Sequence, residues 1–287
     1  MNAQDRMSGV LYVVATPLGN MEDITFRAVR ILGEADLIAA EDTRRTGKLL
    51  ARYDIRNELV SCNEYNEKKR TGFLIENLKA GKSVALVSDA GTPCVSDPGY
   101  VIVKKAAEEQ IPVIPIPGCS AVISGLSVSG LPTDSFLFLG FLPKKKGRRE
   151  RILSQLVHKE ATLVFYESPN RIHYLVEELS GIMGARPAVL AREMTKIHEE
   201  YIRGDLDSLL SELKQRGRVK GECVLFVGGM RGSSPAPSDA DLDEEILECL
   251  DREDCRTSAA SKEIADRFSI PRKQVYQRFI ELKNDKE

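Results

Sequence analysis

Several signatures of common chemistries are missing from this chain. Its three histidines, His158, His173 and His198, have no ligand spacing, and its six cysteines form no C-x-x-C pair. A structural metal is therefore not expected, and the thiols are expected to be reduced. No stretch approaches the roughly 18 uninterrupted apolar residues of a membrane helix. The first 15 residues lack a basic region followed by an apolar run, so the cytosol is the expected location. The loop after the first strand carries neither G-x-G-x-x-G nor G-x-x-x-x-G-K-[ST], which weighs against a nicotinamide enzyme and a nucleoside triphosphatase. Neither sign of charge dominates: 41 Lys and Arg face 43 Asp and Glu, a net charge of -2. A surface that attracts nucleic acid everywhere is thereby excluded, and any RNA contact must be local.

What is present is ordinary globular material, 42% apolar and 29% charged over 287 residues, enough for two compact cores and a small third unit. Over the first 130 residues, short apolar runs at 10–15, 37–40, 59–62, 84–87 and 113–116 alternate with amphipathic stretches at 24–34, 43–52, 64–79 and 100–109. That alternation predicts a doubly wound α/β domain with a parallel sheet, Asp23 and Asp97 being placed to cap or precede helices. From Ser135 the pattern becomes mixed. SFLFLGFLP, TLVFYES, PAVLARE, EEYIRG and GECVLFVGG read as strands and 149–157, 171–182 and 206–216 as helices, a second α+β domain over 131–230. Residues 231–240, RGSSPAPSDA, form a linker. Beyond it, 241–287 hold three short helices, the last two joined by Ser269-Ile270-Pro271 in the manner of a helix-turn-helix. Arg267, Arg272, Lys273 and Arg278 near that turn suit nucleic acid, but a plain structural appendage needs the same apolar positions, and both readings stay open.

Open α/β sheets bind ligands beyond the carboxyl ends of their strands, and Gly/Pro clusters stand at such ends here. They are VVATPLGN (13–20), SDAGTPCVSDPG (88–99) and PIPGCSA (115–121), joined by EDTRRT (41–46), where two carboxylates precede two arginines. One such loop is usually only a turn; four in one sheet point to a ligand cleft.

These segments, with LYVVATPLGNMEDITFRAVRIL, FLGFLPKK, FYESPNRI, AREMTKIHEE and GECVLFVGG in the same order from Leu11 to Gly229, resemble the ribosomal RNA small-subunit methyltransferase I family. The resemblance implies an α/β, two-domain tetrapyrrole-methylase-like (class III methyltransferase) fold with a small C-terminal helical domain. It also implies a homodimer, S-adenosylmethionine (S-adenosyl-L-methionine) in the cleft between the domains, and 2'-O-methylation of a cytidine in the decoding region of 16S rRNA. By that match Asp89, Ala90, Gly91, Thr92, Ser120 and Ala121 hold the cofactor and Pro17 and Leu18 line its floor. Tyr166, Gly221 and Glu222 close it from the second domain, although Tyr166 and Glu222 also read as a packing residue and a strand end.

A ribose hydroxyl is a weak nucleophile, so a nearby base should help. Asp42, Glu167 and Glu193 are candidates, with Lys196 placed to stabilise a developing alkoxide. Glu167 comes first because FYESPNR sets it at a strand end; its pairing with Arg171 is the competing reading. Arg44, Arg45 and Arg171 suit phosphates, since guanidinium binds phosphate in bidentate fashion. In KKKGRRER, six of eight residues are basic; composition alone reads a solvated helix start, whereas the resemblance makes Lys144, Lys145, Lys146, Arg148 and Arg149 RNA contacts. Two rivals compete with this reading: a tetrapyrrole C-methyltransferase, and a non-catalytic RNA-binding assembly factor that would leave four ligand-type loops unexplained.

Overall fold

The computed structural model describes residues 9–230, 239–250, 257–268 and 271–286, in two compact units, Met1–Gly229 and Met230–Glu287. The first opens with a five-stranded parallel sheet. Its strands are β1 (Leu11–Val14), β2 (Leu37–Ala40), β3 (Leu59–Ser61), β4 (Val84–Val87) and β5 (Val113–Ile116), ordered β3-β2-β4-β1-β5. The central strands are apolar throughout because both faces are covered. Leu37 and Ala39 pack with α3 (Glu67–Lys79) and α4 (Tyr100–Glu108), while Ile38 and Ala40 pack with α1 (Phe26–Glu34) and α2 (Thr43–Arg52). These are the expected strands and helices, no end differing by more than three residues.

Asp23 and Asp97 both precede helix starts, one of the two expected placements, and neither caps a helix. Asp23 ends a short 3-10 turn, Met21–Asp23, and Thr25 caps α1 by accepting from Ala28 N at 3.1 Å. Asp97 does not cap α4: that helix starts on Gly99, at φ 126°. The orphan N–H groups of Gly99 and Val101 donate to Oε1 of buried Glu67, at 2.8 and 2.9 Å. A carboxylate from a neighbouring helix thus replaces the local cap, a pairing that local sequence does not reveal.

The chain then enters α5 (Ala121–Ser129), capped by Ser120 and released by Gly130 at φ 76°. A mixed sheet follows: β6 (Phe136–Phe141), β7 (Thr162–Glu167), β8 (Pro187–Arg192), β9 (Glu200–Asp205) and β10 (Cys223–Val227), ordered β6-β7-β10-β8-β9. Only β6 and β7 run parallel; the other pairs are antiparallel. One face packs on α6 (Lys146–Ser154), α7 (Ile172–Met183) and α8 (Leu206–Arg216). On the other face Val122 and Leu126 of α5 pack with Val164, Val189, Val224 and Phe226. Burying a side chain of this size is worth about 1.5–3 kcal/mol, so α5 is held on the second sheet. Gly125 permits the approach, since a Cβ there would stand 2.4 Å from Phe226 Cζ.

The second unit contains α9 (Asp239–Leu250), α10 (Thr257–Phe268) and α11 (Arg272–Lys286) around Leu242, Ile246, Ile264, Val275 and Phe279. Residues 231–238 of the expected linker lie outside the described residues, and its last two already belong to α9. Arg278 binds Asp243 through two 2.6 Å hydrogen bonds, and Arg272 donates to Ser258 O at 3.0 Å. Two of the four cations that suggested nucleic acid therefore join helix to helix; the side chain of Arg267 lies outside the described residues. Cys249 is disulfide-bonded, which corrects the expectation of reduced thiols throughout. Among the described residues, no helix is long and apolar enough to cross a membrane.

Candidate active site

The carboxyl ends of β1, β4, β5 and β2 converge, and the loops that follow them are tied together by hydrogen bonds that each engage a backbone group. Thr16 and Gly91 exchange hydrogen bonds, N to O, at 2.9 and 3.0 Å, joining the first loop to the second. Thr92 Oγ1 donates to Cys119 O at 3.0 Å, joining the second to the third. Asp42 N donates to Asp89 Oδ1 at 3.0 Å, and Asp89 N to Glu41 Oε2 at 3.1 Å, which fastens the loop after β2. The loops are preorganised as a result.

Between them and β7 and β10 lies a cavity of about 440 Å³. Its first wall carries Leu18, Glu41, Arg45, Asp89, Ala90, Gly91, Thr92, Asp97, Ser120 and Ala121; its second carries Phe141, Tyr166, Glu167, Glu222 and Val224. Glu41, Asp89 and Asp97 come from two loops and crowd together against one arginine, Arg45, whose Nη1 lies 3.4 Å from Asp89 Oδ2. Burial, and then the charges of Glu41 and Asp89, push the Asp97 carboxyl up to about 6, although a hydrogen bond with Ser88 opposes the rise. Glu41 is raised too, chiefly by burial. Burial pushes Tyr166 up to about 12, keeping the phenol neutral; its ring meets Phe138 and Phe141 edge-on at 4.9 and 5.6 Å.

Most of the residues expected at a cofactor site meet on these walls: Leu18, Asp89 to Thr92, Ser120, Ala121, Tyr166 and Glu222. Pro17 lies in an adjoining groove with Leu18 and Arg45. Gly221, at φ 87°, lies behind the wall, where a Cβ would collide with Glu193 Cγ at 2.3 Å.

Of the expected acid-base residues, Glu167 alone lines the cavity. It is buried, accepts from Ser168 N at 2.7 Å and sits 3.0 Å from Arg171 Nη2. Neither atom of that ion pair makes an aligned hydrogen bond. Asp42 instead caps α2, accepting from Arg44 N at 2.9 Å; Arg44 holds its carboxyl down to about 2, a poor base. Glu193 and Lys196 pair at 2.8 Å, and Lys196 reaches Glu222 at 3.2 Å. Burial opposes the charge on Lys196, but the bonds to Glu193 and Glu222 outweigh it and its pKa rises. Glu193 and Lys196 line an outer groove, and their brace ties it to Glu222 on the cavity wall.

Among the basic residues, Lys144, Lys145, Lys146 and Arg148 are exposed around the start of α6. Arg149 is not available as expected: it binds Glu178 through two 2.5 Å hydrogen bonds and donates to Pro143 O and Lys144 O. It anchors the basic loop instead of offering a contact.

The residues that sequence reasoning missed are Glu41 and Asp97. Glu41 was visible as a strand-end carboxylate, whereas Asp97 shows its role only when the loops after β2 and β4 are folded against each other.

The chain, whose doubly wound sheet and mixed sheet flank a carboxylate-rich cleft, matches a model of the Tetrapyrrole (Corrin/Porphyrin) Methylases over residues 10–210. The chain belongs to that family, whose members are S-adenosylmethionine-dependent methyltransferases. Solved structures with this fold include the methyltransferase CobJ (TM-score 0.60, 19% identity, 78% of this chain and 95% of that one). Another is the Thermus thermophilus uroporphyrin-III C-methyltransferase complexed with S-adenosylhomocysteine (TM-score 0.55, 21% identity, 77% and 97%). Within the family the chain groups with proteins named ribosomal RNA small subunit methyltransferase I. It is 43% identical to that of Halalkalibacterium halodurans, covering 93% of each chain. It is also 43% identical to that of a Synechocystis species, covering 96% of this chain and 99% of the relative.

The cleft fits the cofactor on its own chemistry. Three carboxylates crowded around a single arginine favour a cationic ligand such as a sulfonium with an ammonium head. Leu18, Ala121 and Val224 give an apolar bed, and backbone groups of the tied loops are placed to meet polar edges.

Proposed function

We propose that the protein methylates the ribose 2'-oxygen of a cytidine in the decoding region of small-subunit ribosomal RNA. The observation that carries the reading is the carboxylate-lined cleft in a chain that matches ribosomal RNA small subunit methyltransferase I proteins along nearly their whole length. The tetrapyrrole C-methyltransferases resemble this chain in fold, at 17–23% identity. A non-catalytic role leaves the cleft without a purpose.

S-adenosylmethionine, when bound, supplies a methyl group that needs no further activation. The work left to the chain is to hold, orient and deprotonate. Asp89 to Thr92, Ser120 and Ala121 on one wall, with Tyr166 and Glu222 on the other, hold the cofactor; Asp97 and Glu41 face its positive charge. Placing the ribose hydroxyl in line at near-attack distance supplies much of the acceleration. Glu167 takes the hydroxyl proton on its carboxylate, with Arg171, 3.0 Å away, keeping that group aimed. Glu167→Gln is expected to lower kcat by about 10²–10⁴-fold while leaving cofactor affinity unchanged by calorimetry; unaltered kcat would remove Glu167 as the base.

Arg44 and Arg45 at the mouth, and Lys144, Lys145, Lys146 and Arg148 on the second sheet's side, meet RNA phosphates. Residues 1–130 and 131–230 act as the two halves of the cleft, with 241–287 as an accessory helical unit. The homodimer forms through apolar side chains left exposed on α5 and β6, among them Ile123, Val128, Phe136 and Leu137. The cytoplasm follows as the place of work from the substrate.

The test is incubation with tritiated S-adenosylmethionine and small ribosomal subunits lacking the modification, followed by arrested primer extension. One methylated cytidine in the decoding region is the expected result. No incorporation into subunits or naked 16S RNA, with cofactor bound, would overturn the substrate.

A further inference from the structure

The exposed face of α2 carries Arg45, Lys48 and Arg52, spaced by three and four residues, so the three cations stand in one row. Each lines a different stretch of a continuous depression. Arg45 lies on the cofactor cavity and on the adjoining groove. Lys48 lies on that groove, together with Gly19 and Met21. Gly19 and Met21 also line the outer groove, which Arg52 completes. Two of the three cations are also left without a carboxylate partner. Lys79, Lys105 and Lys214 on other helices hold carboxylates within 3 Å. Lys48 and Arg52 have no carboxylate within salt-bridge distance among the described residues, and both are exposed.

The opposite wall of the outer groove is the turn between β8 and β9. Its backbone is fixed by left-handed residues, Glu193 at φ 51° and Thr195 at φ 64°. Thr195 Oγ1 accepts from Asn20 N at 3.1 Å, and Lys196 braces the turn from within. On this rigid support Ile197 is 98% exposed, with His198 beside it. A flexible turn could fold such a side chain away; this one holds it out. A row of three cations, the outer two unpaired, that leads from a reaction cleft to a fixed apolar tip has the complement of a nucleic-acid strand, phosphates on one side and an unstacked base face at the end.

We propose that this groove is the track of the RNA strand on one side of the target nucleotide, with Lys48 and Arg52 meeting successive phosphates beyond Arg45 and Ile197 abutting a flanking base. The inference rests on RNA being the substrate. Seven residues of helix extend about 10 Å, so the row reaches beyond one phosphate to its neighbours on the same strand. Two carboxylates also stand in the outer groove, Glu22 and Glu193, the latter already neutralised by Lys196. The groove thus favours a strand held by the α2 side. Holding a neighbour of the target at a fixed apolar tip also helps keep the target unstacked and turned into the cleft.

The test compares wild-type protein, the double variant K48A/R52A and Ile197→Ser for binding of unmodified small subunits across a salt series. S-adenosylmethionine affinity is measured by calorimetry, and oligomeric state by sedimentation. Expected for K48A/R52A is roughly tenfold weaker subunit binding, a log-log salt slope shallower by about 1.4 for two lost contacts to a single strand, and unchanged cofactor affinity. Ile197→Ser is expected to weaken binding several-fold with the slope retained. Wild-type affinity and slope in the double variant, with cofactor binding intact, would overturn the track. A change of oligomeric state in Ile197→Ser would assign the tip to a second copy of the chain and overturn that part. If wild-type protein neither binds nor methylates the subunits, the failure lies in the substrate reading itself.

Discussion

Asp97 stands where burial and two neighbouring carboxylates work against its charge, and its behaviour with pH follows from that placement. Its folded-state pKa, about 6, lies above the ordinary 3.8. The folded chain therefore holds this proton more tightly than the unfolded one, and stability is lost as pH rises from about 4 to about 6. A cationic ligand in the cleft reverses the preference and favours the ionised form. Affinity for S-adenosylmethionine is accordingly expected to rise several-fold between pH 5 and pH 7, and Asp97→Asn to flatten that rise, as read by calorimetry across the range. Retention of the wild-type pH profile in Asp97→Asn would place the titrating group elsewhere, with Glu41 next in line. How little of this was legible in the sequence is a matter of distance along the chain. SDAGTP announced a ligand loop through its own glycine and proline, whereas Asp97 depends on Glu41, contributed by a different strand. Arg149 shows the converse: it read as part of a basic run, and only the fold brings up Glu178 to bind it.

At the scale of elements, the strands of the first sheet were legible almost to the residue, because a strand buried on both faces is a continuous apolar run bounded by turn residues. The helix starts were less so. The cap of α4 comes from Glu67, 32 residues upstream of Gly99, and no local rule anticipates a cap supplied across a helix pair. The contact of α5 with the second sheet was also hidden, since Gly125 reads only as a weak helix residue. Its role is to let the helix sit on Phe226. Gly125→Ala is expected to destabilise the protein by roughly 1–3 kcal/mol through overpacking, seen as an earlier urea midpoint. Cofactor affinity is expected to fall with it, because Ala121 at the start of the same helix lines the cleft. An unchanged midpoint would mean that Phe226 turns aside without cost.

At the scale of the whole molecule, the cofactor cleft is complete within Met1–Gly229, while the three terminal helices pack around a core of their own. A chain ended at Gly229 is therefore expected to fold and to bind S-adenosylmethionine as the full chain does. A titration would show this, and a large loss of affinity would make the helical unit part of the cofactor site. The small net charge of the chain makes a matching division for the proposed RNA substrate: attraction would come from local rows of cations rather than from an overall field.

The brace of Lys196 against Glu193 and Glu222, with Thr195 fastened to Asn20, ties the turn after β8 to the loop after β1. The width of the outer groove is therefore set by the protein's own hydrogen bonds and not by what lies in it. A groove of fixed width works as a gauge, accepting what already fits rather than closing around what arrives.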